Sequence, residues 1–121
     1  MGKSVITISD NIFEKCFSLE TIEVHPENIY WYSKNGVLYS IDNKKVISYA
    51  LGNTQESLTL EDGATTIYSY VFEKAKLKEI HFPNSLTTIN SYAFYHAALE
   101  RATFGSGITT ISSYAFEYSN I

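Results

Sequence analysis

The chain has 121 residues, enough for one domain, and 45% hydrophobic with 18% charged residues is the balance of a globular rather than a disordered protein. Net charge is −4 and the nine Lys and Arg are scattered, which excludes a basic stripe for a nucleic-acid backbone or an anionic membrane. A single cysteine, Cys16, excludes an intrachain disulfide and a cysteine-rich metal site, no apolar run is long enough to span a membrane, and ten Tyr and seven Phe against two Pro favour β-rich packing.

From the start of the chain, Met1-Gly2-Lys3-Ser4 leads into Val5-Ile6-Thr7-Ile8, too short an apolar run for the core of a secretion signal. A first unit then carries Ile8, Phe13, Leu19, Ile22 and Val24. Between Pro26 and Thr54 lies an insertion, placed at about residues 27–54. Within it, Gly36-Val37-Leu38-Tyr39 and Val46-Ile47-Ser48-Tyr49 flank a polar turn at residues 42–45, the pattern of a β-hairpin. Asn35-Gly36 and Asp62-Gly63 are further turn dipeptides.

After the insertion the chain becomes strictly periodic. Thr66-Ile67, Thr88-Ile89 and Thr110-Ile111 recur every 22 residues, and so do Tyr70, Tyr92 and Tyr114, and Phe72, Phe94 and Phe116. Leu58 and Leu60 take the places that Ile80 and Phe82 hold one unit later, and the first unit repeats the same order with one extra residue near Cys16. A fixed period of this length indicates stacked repeats.

Each unit can be read in parts. Glu79-Ile80-His81-Phe82 alternates as a half-buried strand with Ile80 and Phe82 inward. Pro83 ends the strand and Asn84-Ser85 turns the chain. The apolar stretch from Leu86 to Ile89 starts the return, and Asn90-Ser91-Tyr92-Ala93-Phe94 closes the unit through a turn or a single helical turn. One such unit cannot bury its own apolar face, so the units are expected to stack as parallel strands with Phe94 fully buried.

The string Leu-x-x-Ile-x-Phe-Pro-x-Ser-Leu-x-x-Ile-x-x-Tyr-Ala-Phe, from Leu77 to Phe94, resembles the BspA-like subclass of leucine-rich repeats. It covers about the whole chain once the insertion is allowed for. The resemblance implies a β-rich solenoid, a right-handed superhelix of parallel strands with one inserted β-hairpin, forming a single domain over residues 1–121. It also implies a structural role for Cys16, no catalytic residues and no cofactor, and a cell-surface or secreted adhesin that recognises a protein ligand. In the family a proline often follows the second hairpin strand, where this chain has Ala50. Typical members have more repeats with a signal, an anchor and terminal caps. The expectation is therefore either a fragment of a longer array or an end-to-end homo-oligomer through uncapped terminal repeats.

Candidate binding residues follow from the strand alternation. Thr21 and Glu23, Ser57 and Thr59, Glu79 and His81, and Arg101 and Thr103 should project from the concave sheet face, either as a ligand-binding ladder or as a solvated surface. Tyr30-Trp31-Tyr32 is a second candidate patch, as a platform for a ligand or as packing for the hairpin. His25, His81 and His96 lack the spacing of a metal site, and no phosphate loop or nucleophile motif occurs, so an enzyme is not expected. Two functions remain: a protein-recognition module, or a structural spacer that can self-associate.

Overall fold

The computed structural model describes residues 31–42 and 44–119 in full and the backbone of two short strands, β1 (Ser4–Val5) and β2 (Glu23–Val24). These two pair in parallel, with Val5 opposite Val24. The expectations for Ile8, Phe13, Cys16 and Leu19 lie outside the described residues.

The 22-residue period is built as two ladders of parallel strands. On one side β6 (Ser57–Thr59), β8 (Glu79–His81) and β10 (Arg101–Thr103) form a three-stranded sheet, with Leu58 opposite Ile80 and Ile80 opposite Ala102. On the other, β7 (Thr66–Ile67), β9 (Thr88–Ile89) and β11 (Thr110–Ile111) are in the same register, Ile67 to Ile89 to Ile111. The middle residue of β6 and of β8 is buried between outward neighbours, which is the alternation that a strand with one wet face requires.

Between these sheets the side chains stack unit on unit. The Phe72 and Phe94 rings lie 4.8 Å apart at 3°, and those of Phe94 and Phe116 lie 4.9 Å apart at 5°. Phe94 is fully buried, as the repeat requires, together with Leu77, Leu86, Ile89 and Leu99. Each ring pair adds about 0.5–1.5 kcal/mol to the burial of its area.

Residues 90–97 close the unit without a helix. Asn90, Tyr92 and Phe94 carbonyls accept from the N–H groups of Ala93, Tyr95 and Ala97, a chain of tight turns. Tyr92 (φ 64°) and His96 (φ 57°) are left-handed, as are Tyr70 and Lys74 one unit earlier and Tyr114 and Tyr118 one unit later. A helical turn would direct every N–H along the segment. The left-handed residues instead free the N–H of Phe94 and His96 to donate to Ala115 and Glu117 of the next unit, at 2.7 and 3.0 Å. The conformational cost, about 1–2 kcal/mol at each site, is offset by those inter-unit bonds and the ring stacking.

The turn after each long strand is also shared between units. Ser85 Oγ accepts from Gly63 N–H at 2.9 Å and donates to the Ala64 carbonyl at 2.8 Å, and Asn84 Oδ1 accepts from Ser106 N–H at 3.0 Å. In the last unit the turn is Gly105-Ser106-Gly107. A Cβ on Gly107 would sit 2.0 Å from the Asn84 carbonyl oxygen, so only glycine lets the two turns approach this closely.

The insertion holds three antiparallel strands, one more than the expected hairpin. β4 (Val37–Ser40) and β5 (Val46–Tyr49) pair across the polar turn, and β3 (Trp31–Lys34) adds to the far side of β4 through a two-residue turn. Asn35 (φ 53°) and Gly36 (φ 81°) both adopt positive φ there, as a type I′ turn demands. β5 joins β7 in parallel, Val46 opposite Ile67, so the insertion extends the second sheet to six strands. Being covered on both faces, β5 is buried along its whole length. Ala50 donates its N–H to the Gly36 carbonyl at 2.8 Å, a bond that a proline at this position could not make.

Two insertion tyrosines tie this meander to the repeats. Tyr49 packs on Phe72 at 5.0 Å, continuing the phenylalanine column, and its hydroxyl accepts from Gln55 Nε2. Tyr39 accepts the Glu61 N–H at 3.1 Å, and burial pushes its phenol up to about 12.

Candidate binding surface

The three-stranded sheet presents its outward side chains in two rows. Ser57, Glu79 and Arg101 are mutually in register, and so are Thr59, His81 and Thr103. Ser57, Thr59, Arg101 and Thr103 are exposed, while Glu79 and His81 at the centre are half-buried. The parallel ladder fixes this arrangement, because a period of 22 returns each strand position to the same side of the stack.

Glu79 is the electrostatic centre of the face. Its Oε1 accepts from Arg101 Nη2 at 3.4 Å and its Oε2 lies 3.1 Å from His81 Nε2. Arg101 also approaches Glu100 Oε1 at 3.9 Å. At this exposure each pair contributes no more than about 1 kcal/mol, so the cluster orients side chains more than it stabilises the fold. Its three members present a carboxylate, a guanidinium and an imidazole on one face, which suits hydrogen bonding and charge pairing with a polar partner. Among the described residues no three His, Cys, Asp or Glu side chains are grouped to hold a metal.

Not all the sequence candidates join this face. The Glu23 backbone belongs to β2, which pairs with β1 in a separate sheet, and Thr21 lies outside the described residues. In the second patch Tyr30 is likewise outside them, whereas Trp31 and Tyr32 are half-buried on β3. Tyr32 stacks on Tyr39 at 5.2 Å and packs against the core, so its ring supports the meander. Burial first, and then the Glu61 charge, raise its phenol above the ordinary value.

A second surface was not singled out by the strand pattern. Tyr70, Tyr92 and Tyr114 recur in step with the phenylalanines, but they form a column at the surface, with ring centroids 5.2 Å apart. Tyr92 lies edge-on to Tyr95 at 5.3 Å, and Tyr95 edge-on to His96 and Tyr118. His96 stacks on Tyr118 at 4.6 Å and 12°. The signal in the sequence was the tyrosine in place of phenylalanine, whose hydroxyl favours a wet position.

The model of the BspA type leucine-rich repeat region (6 copies) matches residues 1–50 and 44–121. The chain belongs to the BspA type leucine-rich repeat family. No curated protein matches it.

Three solved structures share the fold of this family member. The pneumococcal vaccine antigen PcpA is 27% identical at a TM-score of 0.69, over 74% of this chain and 22% of that one. A leucine-rich cell surface protein of Faecalibacterium prausnitzii is 24% identical at a TM-score of 0.75, over 88% of this chain and 31% of that one. A leucine-rich repeat protein of Eubacterium ventriosum is 22% identical at 0.55, over 98% and 57%. The chain therefore spans less than a third of the first two of these proteins and a little over half of the third. The strand-rich repeat fold expected from the 22-residue period is shared with them.

Proposed function

We propose that this chain is a non-enzymatic protein-recognition module of a cell-surface or secreted adhesin, and that its contact surface is the β6–β8–β10 face. The repeats wind as a right-handed solenoid in this reading, which places that sheet on the concave side, where curved repeat proteins gather their partners. The observation that carries it is the in-register display of Ser57, Glu79 and Arg101 beside Thr59, His81 and Thr103. A parallel stack produces such a ladder from one position per unit, and the side chains there are polar rather than apolar. Structural relatives described as a cell surface protein and a vaccine antigen support the surface location.

Surface plasmon resonance against a panel of immobilised extracellular proteins tests the proposal. Saturable binding by the wild type should fall at least about tenfold in the double variant E79K/R101E, because hydrogen-bonded charge pairs at an interface typically control that much affinity. Equal binding by both proteins, or no saturable binding on the panel, would overturn it.

A further inference from the structure

The tyrosine surface on the closing turns carries chemistry that the sheet face does not. Position by position, three columns run side by side there: Tyr70, Tyr92 and Tyr114; Glu73, Tyr95 and Glu117; and Lys74, His96 and Tyr118. In the middle column a phenol stands between two carboxylates, one in the unit before and one in the unit after. Glu73 is buried to 6% exposure, and its Oε1 has no hydrogen-bond partner among the described residues.

These groups set two carboxylates, Glu73 and Glu117, beside an aromatic surface. Phenol faces attract cations through the ring quadrupole, and phenol oxygens accept hydrogen bonds from ammonium and guanidinium groups. A buried carboxylate lacking a full set of partners is a further unmet demand for positive charge. Desolvation is the main cause that raises the phenols of Tyr92 and Tyr95, with smaller contributions from Glu117 to both and from Glu73 to Tyr95. The chain itself puts a cation, Lys74, into the adjoining column, where His96 and Tyr118 follow in the next units.

We propose that the surface formed by Tyr92, Tyr95, His96 and Glu117 over Glu73 binds the Arg or Lys side chains of a basic segment of a protein partner. A guanidinium fits best, since it can lie flat on an aromatic edge or face while its N–H groups reach carboxylate and phenol oxygens. The site lies on the closing turns, outside the β6–β8–β10 ladder, so it stands or falls independently of the function proposed for that sheet.

The test uses tetra-arginine amide as probe, titrated into the intact chain at low salt and followed by calorimetry, with tetraserine and tetraglutamate of the same length as controls. Tetra-arginine should bind and the controls should not. E117Q, a conservative change that leaves the core untouched, should weaken binding roughly three- to tenfold, and Y95L should do the same, while E79Q on the sheet face should have no effect. Thermal melts of each variant confirm that the fold persists. Failure of tetra-arginine to bind, unchanged binding in a folded E117Q, or an equal loss in E79Q would each overturn the proposal.

Discussion

The phenylalanine column and the tyrosine column share one period and meet different fates. Phe72, Phe94 and Phe116 stack inside the repeats, whereas Tyr70, Tyr92 and Tyr114 stack two residues earlier on the surface, at nearly the same spacing and with similarly parallel rings. What separates them is the left-handed backbone at the tyrosine, which turns its side chain outward and releases the next N–H groups to the neighbouring unit. Periodicity therefore identifies stacking, and backbone conformation decides whether the stack is core or surface. One column holds the fold together. The other lies at the surface.

The largest expected effect lies in the core column. Phe94→Ala removes a ring packed between Phe72 and Phe116 and against the edge of Phe82, and should cost about 3–5 kcal/mol in urea denaturation. Next comes Gly107→Ala, whose new methyl group meets the Asn84 backbone rather than a yielding side chain. It should cost about 1–3 kcal/mol by the same measurement, and a neutral result would mean that the two turns are farther apart than described.

A smaller effect belongs to Tyr39. Its phenol is raised to about 12 in the fold, against about 10 in the unfolded chain, so the folded state holds this proton more tightly. Stability from this group is fully present below pH 10 and is lost as pH climbs from 10 to 12, because there the unfolded state sheds the proton first. Denaturation curves across that range should show the decline, and Tyr39→Phe should reduce its slope, the other raised phenols keeping the remainder, while costing about 1 kcal/mol at neutral pH, since the Glu61 N–H loses its acceptor. The smallest effect is the Glu79 and Arg101 coupling. A double-mutant cycle to alanine should give no more than about 1 kcal/mol, fading with salt.

Much of this was legible in the residues. The 22-residue spacing places Ile80 and Phe94 inside, and strand alternation places Ser57, Glu79 and Arg101 on one face, as the ladders have them. The meander was legible only in part. Trp31-Tyr32 precedes an Asn-Gly turn, but aromatic residues suit both a ligand platform and a strand, and pairing with β4 is a tertiary fact that no local pattern encodes. The Gly105 and Gly107 requirement depends on an approach between units, and the tyrosine surface depends on φ. Neither can be read from hydrophobicity. Glu73 was hidden for a similar reason: a charged residue beside Phe72 gives no hint in sequence that it is buried.

The contrast between the two columns is most directly tested by measuring Phe94→Ala and Tyr92→Ala side by side in urea. Tyr92→Ala gives up two stacked ring contacts at a position where water already reaches the ring, so it should cost about 1–2 kcal/mol, at least about 1.5 kcal/mol less than Phe94→Ala. Equal losses in the two variants would contradict the assignment of one column to the core and the other to the surface.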